Sequence, residues 1–135
     1  MQASVKWCGN ETFLGLSNSG HSIVMDGNGG ANAPSPMEMV LMGAGGCSSV
    51  DVVAALKENA EQVISCVAEL SAERREQAPK LFTKINIHFV VTGKALDESR
   101  VASAVKDSLE KYCSVCLMLG AGVEMIHSYE IIENA

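Results

Sequence analysis

Five cysteines carry the reactive chemistry of this chain: Cys8, Cys47, Cys66, Cys113 and Cys116. A thiolate is a nucleophile, a soft metal ligand and a two-electron reductant. The number is odd and the spacing irregular, which does not fit a secreted disulfide framework. A reducing cytoplasm is the expected compartment. Cys113 and Cys116 form a C-x-x-C. One such pair is weak evidence for zinc, because a structural site takes four ligands and usually a second pair. No metal and no cofactor are expected. The Gly/Asn-rich stretch 26–33 lacks the Lys-Ser/Thr that would reach phosphates. Free cysteine is among the most buried residue types, so packing stands beside thiol chemistry as a reading of each one. Cys8 and Cys66 fall on expected strands and read as packing.

Three other groups bear on Cys47. Glu38 follows Ser35 by three, a capping-box spacing, and is both a candidate catalytic carboxylate and a helix cap. Asp51 lies one turn beyond Cys47, and its charge would raise a nearby thiol pKa. It reads better as the partner of something buried. His88 and His127 are most simply sheet residues.

Cys47 must be positioned by a long helix. Ser35 caps it, Pro36 suits its first position, and it runs to about residue 59. From Met39 to Val50 there is no charged residue, so this half is expected to be buried on every side. That uncharged run is too short for a membrane span, which takes about 20 residues. Gly43, Ala44, Gly45 and Gly46 strip the middle of the helix of side chains, although glycine costs ~1 kcal/mol against alanine there. Close approach of another backbone would justify that cost. One sheet covers only one side. A second copy of the chain, meeting the Gly-rich segment across a two-fold axis, is the simplest cover for the other.

The remaining elements follow from alternation and turn residues. Strands are expected over 3–8, 12–16 and 21–25, joined by tight turns at Gly9-Asn10 and 17–20. Further strands are expected over 63–72 and 81–92. Ile85, Ile87, Phe89 and Val91 alternate with Lys84, Asn86, His88 and Val90. Asp97 caps a second helix carrying Val101, Ala104, Val105, Ser108, Leu109, Tyr112, Cys113 and Cys116 at helical spacing, ended by Gly120 and Gly122. A last strand covers 123–133. The order βββ-α-ββ-α-β predicts one α+β domain over residues 1–135. The net charge of −6 argues against nucleic acid and anionic membrane as partners. The first residues contain no apolar leader segment.

Three motifs occur in order: Pro36-x-Glu38-Met39 with Gly45-Gly46-Cys47, Pro79-x-Leu81-Phe82-Thr83-x-Ile85, and Ser108-x-Glu110-Lys111-Tyr112-Cys113-Ser114-Val115. Together they resemble the OsmC/Ohr family, named for osmotically inducible protein C and organic hydroperoxide resistance protein. The resemblance covers nearly the whole chain. It implies an intertwined α+β homodimer, with two long central helices packed between six-stranded sheets. It also implies a pair of thiols that reduces organic hydroperoxides, in oxidative or osmotic stress defence. By motif position Cys47 matches the peroxide-attacking cysteine and Cys113 the resolving one. Such a site needs an external dithiol reductant as partner. Apolar walls from Met39, Met42 and Val50, with Leu117 and Met118, would favour a lipid-like or aryl hydroperoxide.

Two departures are visible. The organic hydroperoxide enzymes place a glutamate one position before Glu38, where this chain has Met37. They also use an arginine from the N-terminal strands, and no arginine occurs here before Arg74. Two other functions therefore stand beside the hydroperoxide reductase. One is a scaffold that binds a small apolar ligand such as a fatty acid. The other is a thiol redox sensor.

Overall fold

A computed structural model describes residues 1–134. The chain divides into two compact units, residues 1–41 and the remainder from Met42.

In the first unit β1 (Ala3–Trp7), β2 (Thr12–Ser17) and β3 (Ser22–Asp26) form an antiparallel meander in the order β1-β2-β3. The β1–β2 turn needs two left-handed residues, and Gly9 (φ +98°) and Asn10 (φ +47°) supply them. Register places Val5 opposite Gly15 and Ile23, and Trp7 opposite Phe13 and Met25. These rows are apolar, while Ser17, opposite Ala3, stands on the same face. Val5 and Trp7 are more than 60% exposed in the single chain, so this face has no cover there. Asp26 ends β3 as a buried carboxylate that accepts from the Asn28 and Asn32 amides at 2.7 and 2.6 Å. Those hydrogen bonds hold its pKa below the ordinary carboxylate value. They fold the loop that leads into the first helix.

That helix, α1 (Pro36–Glu58), begins in the first unit and continues through the second. Its start is the expected capping box. The Glu38 amide donates to Ser35 Oγ at 3.1 Å, and Glu38 Oε1 accepts from the Ser35 amide at 3.0 Å. The burial expectation needs correction. Ala44, Gly45, Ser48, Val52 and Leu56 are buried, but Val40, Met42 and Val50 on the other face are exposed in the single chain. The glycines divide in the same way. A Cβ on Gly45 would meet Leu70 Cδ1 at 2.6 Å, whereas Gly43 and Gly46 have nothing within 4 Å. The membrane expectation changes too. The whole 23-residue helix is long and apolar enough to cross a bilayer by length and composition. One face of the helix is packed, and Asp51 within it is hydrogen-bonded to Ser108.

In the second unit β4 (Gln62–Arg74) and β5 (Phe82–Lys94) form an antiparallel hairpin, and β6 (Glu124–Glu133) joins β5 in parallel. A parallel neighbour requires a crossover, which the intervening helices provide. Ile85, Ile87, Phe89 and Val91 of β5 are buried, as the alternation required, and Phe82 is buried out of phase with them beyond a register shift. The crossover is not one helix. It consists of α2 (Glu98–Asp107), a π-turn (Ser108–Tyr112), and α3 (Ser114–Leu119), with Cys113 extended between the last two. Asp97 caps α2 by accepting from the Ser99 amide at 2.9 Å. The architecture is α+β with two three-stranded sheets.

Candidate functional site: a cluster of three thiols

The π-turn is the local cause of the site. It winds the chain more widely and lets Cys113 leave helical geometry (φ −73°, ψ 105°) before α3 begins. Cys113 then becomes the N-cap of α3, fully buried, with its amide donating to the Ser108 carbonyl at 2.6 Å. Its Sγ accepts from the Cys116 amide at 3.3 Å. Cys113 thus caps α3 through its sulfur, while the Cys116 thiol turns away to α1.

Two contacts fasten this corner to α1. The Cys116 thiol points at the Ala44 carbonyl, 3.8 Å away. Ser108 Oγ lies 3.1 Å from both the Ser48 carbonyl and Asp51 Oδ2. Ser48 Oγ in turn donates to the Ala44 carbonyl at 2.7 Å. Ala44, Ser48 and Asp51 flank Cys47 on the same turns of α1, so the network holds that stretch against Cys113 and Cys116. The half-buried Cys47 thiol lies beside Cys113 and helps to raise its pKa. Asp51 therefore pairs with a buried hydroxyl, as expected.

Burial is the main cause that pushes the Cys113 thiol far above its ordinary pKa. The neighbouring Cys116 and Cys47 thiols add to it against an opposing bond from the Cys116 amide. Cys116 is also raised, first by burial, then by the charges of Cys47 and Asp51. Both are neutral thiols at pH 7, when the chain is reduced.

The other candidates lie elsewhere. Glu38 stands in its capping box in the first unit. Cys8 is exposed, and Cys66 is a half-buried β4 residue whose thiol burial pushes up. His88 bonds Ser128 Oγ at 2.7 Å and Glu130 at 3.3 Å, while His127 pairs with Glu110 at 3.4 Å. Both are sheet residues, as read. Arg74 donates to the Lys80 carbonyl at 2.8 Å in the β4–β5 turn. Among the described residues no group of three His, Cys, Asp or Glu side chains is placed to hold a metal ion. Ser108 was missed by sequence reasoning as a site residue. Its signals were its place at the head of the third motif and on an otherwise apolar helical stripe.

The family described as OsmC-like protein matches residues 27–128. The chain belongs to the OsmC-like family. Protein YhfA of Escherichia coli K12, a relative in this family, is 59% identical over 132 residues, covering 98% of each chain. A crystal structure of a hypothetical protein from Aquifex aeolicus is 30% identical, with a TM-score of 0.89 over 99% of this chain and 97% of that one. The structure of an organic hydroperoxide resistance protein OsmC from Legionella pneumophila is 15% identical. It has a TM-score of 0.72 over 96% and 95% of the two chains, which shows a shared fold. Proteins of the OsmC/Ohr family are commonly dimeric.

Proposed function

We propose that this protein reduces organic hydroperoxides through Cys47 and Cys113, acting as a cytoplasmic homodimer of one OsmC-like domain per chain. The observation that carries the reading is the clamped corner in which a buried Cys113 neighbours Cys47. The hydroperoxide resistance protein from Legionella, which shares the fold, lends it further support.

In the first step the Cys47 thiolate attacks the outer peroxide oxygen. The O–O bond breaks, the alkoxide takes a proton and leaves as the alcohol, and Cys47 becomes a sulfenic acid. In the second step Cys113 sulfur attacks Cys47 sulfur and water leaves, which forms a disulfide. An external dithiol then returns both thiols. Cys47 is the more accessible sulfur of the pair, so peroxide and reductant would both meet it first. Exposed Val40, Met42 and Val50 on α1 suit an apolar hydroperoxide or the partner's matching helix. Glu38 enters this proposal as a catalytic carboxylate beside its capping role.

The test is mass spectrometry after one equivalent of cumene hydroperoxide. The expected result is fast disulfide formation that begins at Cys47, with Cys47→Ser unable to consume peroxide. Unchanged consumption by Cys47→Ser would overturn the assignment. A second reading, a redox sensor, is favoured by the strongly raised Cys113 thiol, which slows resolution. It predicts oxidation over minutes to hours with no sustained turnover when a dithiol is supplied.

A further inference from the structure

We propose that Cys116 is a second resolving cysteine, which moves the disulfide from Cys47–Cys113 to Cys113–Cys116 and sets Cys47 free. The inference rests on the hydroperoxide reading for its physiological oxidant. The exchange itself rests on the geometry of the three thiols.

Cys113 has two sulfur neighbours on different elements. Cys47 reaches it from α1. Cys116 reaches it from the first turn of α3, where its amide already donates to Cys113 Sγ at 3.3 Å. The two cysteines are three residues apart at the start of α3, and a bridge between them closes once their Cβ atoms come within about 3.5–4.5 Å. The Cys116 sulfur is held inward by the Ala44 carbonyl, one turn before Cys47 on α1. Cys113 therefore has Cys116 against it on α3 and Cys47 beside it on α1, and is common to both bridges.

The exchange balances without another reagent. Cys116 sulfur attacks Cys113 sulfur, and the S–S bond to Cys47 breaks with its electron pair on Cys47. The proton lost by Cys116 goes to Cys47. One disulfide and one thiol become one disulfide and one thiol. Direction follows from solvation. Cys113 and Cys116 are at most 1% exposed, while Cys47 is half-buried. The developing thiolate is better placed on the wetter sulfur, and the bridge removes two thiols from the dry corner.

Two consequences follow. The oxidising equivalent is stored where an external dithiol does not reach, and is recovered only when Cys47 attacks Cys113 in reverse. Meanwhile the freed Cys47 meets a second hydroperoxide, which converts it to a sulfenic acid with no resolving thiol left.

The experiment uses the full chain without reductant, titrated with cumene hydroperoxide and, in a parallel arm, with the dithiol oxidant diamide. Disulfides are mapped by non-reducing peptide mass spectrometry, and dimedone reports sulfenic acid. The expected result is a Cys113–Cys116 bridge after one equivalent in either arm. A second equivalent of peroxide should then give dimedone-labelled Cys47, with about two equivalents consumed per chain. Cys116→Ala and Cys116→Ser should both stop at Cys47–Cys113, with one equivalent consumed and no label. A wild-type bridge that stays at Cys47–Cys113 after prolonged incubation at pH 9, or no bridge among the three thiols, would overturn the exchange. If diamide gives Cys113–Cys116 in the wild type and Cys47–Cys113 in Cys116→Ala, while peroxide oxidises nothing, the exchange stands and the hydroperoxide reading falls.

Discussion

Ser108 is the side chain on which the site's geometry turns. Its hydroxyl lies 3.1 Å from Asp51 Oδ2 and from the Ser48 carbonyl, and its own carbonyl receives the Cys113 amide. Ser108→Ala leaves a half-buried carboxylate without its donor. The expected cost is about 1–3 kcal/mol of stability, read by urea denaturation, with slower Cys47–Cys113 closure after peroxide. Unchanged closure would mean that the network does not align the thiols. Glu38 separates in the same way. Glu38→Gln keeps a residue able to serve the capping box, while Glu38→Ala does not. A capping role predicts that Gln preserves both melting temperature and peroxide consumption, and that Ala loses stability by about 1 kcal/mol. A catalytic carboxylate predicts instead that Gln keeps the stability and loses the consumption.

The thiols also set a pH dependence. Folding raises the pKa of Cys66, Cys113 and Cys116, so the unfolded chain sheds these protons first. Their contribution is complete below the ordinary thiol pKa of 9.0 and is lost as pH rises through the folded values. Asp26 acts at the opposite end. Its lowered pKa gives stability above the ordinary carboxylate value of 3.8 that disappears as pH falls through the folded one. The same raised Cys113 thiol controls resolution. Its thiolate fraction grows about tenfold per pH unit below its pKa. Stopped-flow measurement of disulfide closure should show a rate that still climbs at pH 9. A plateau near neutrality would contradict the buried resolving thiol.

At the scale of elements, α1 and the crossover carry the argument. Gly45 is bare because Leu70 of β4 fills the space, with Cδ1 2.6 Å from where a Cβ would stand. Gly45→Ala gains about 1 kcal/mol of helix propensity but overpacks a filled site, which costs typically 1–3 kcal/mol. A net loss is expected. A double-mutant cycle with Leu70→Ala should show favourable coupling. Additive effects would deny the contact. The capping box and the β5 alternation were legible in the sequence because each is decided within a few residues. The break at Cys113 was not legible. Val101, Ala104, Val105, Ser108, Leu109 and Tyr112 keep helical spacing right up to it, and what ends the run is a change of winding stabilised by Cys116's amide on Cys113 sulfur. The pairing of Cys47 with Cys113, 66 residues apart, came from family resemblance alone. Cys116's place in the same corner needed three dimensions.

At the scale of the whole molecule, one chain leaves two apolar surfaces without cover. One is on the first sheet, where Val5, Trp7 and Ile23 are exposed. The other is the outward face of α1, with Val40, Met42 and Val50. Surfaces of this kind mark association in soluble proteins, and the family is commonly dimeric. The second pair of helix glycines provides a sharp test. A Cβ added at Gly43 or Gly46 would meet nothing within 4 Å in a single chain. There, Gly46→Ala should stabilise the helix by about 1 kcal/mol. Across a two-fold axis where two helices meet at these glycines, the added methyl groups push the backbones apart. The expected outcome is therefore destabilisation that depends on protein concentration, with weaker dimers in sedimentation equilibrium, and a stronger effect for Gly46→Leu. A higher melting temperature with unchanged assembly would place the partner, or its absence, somewhere other than this bare face.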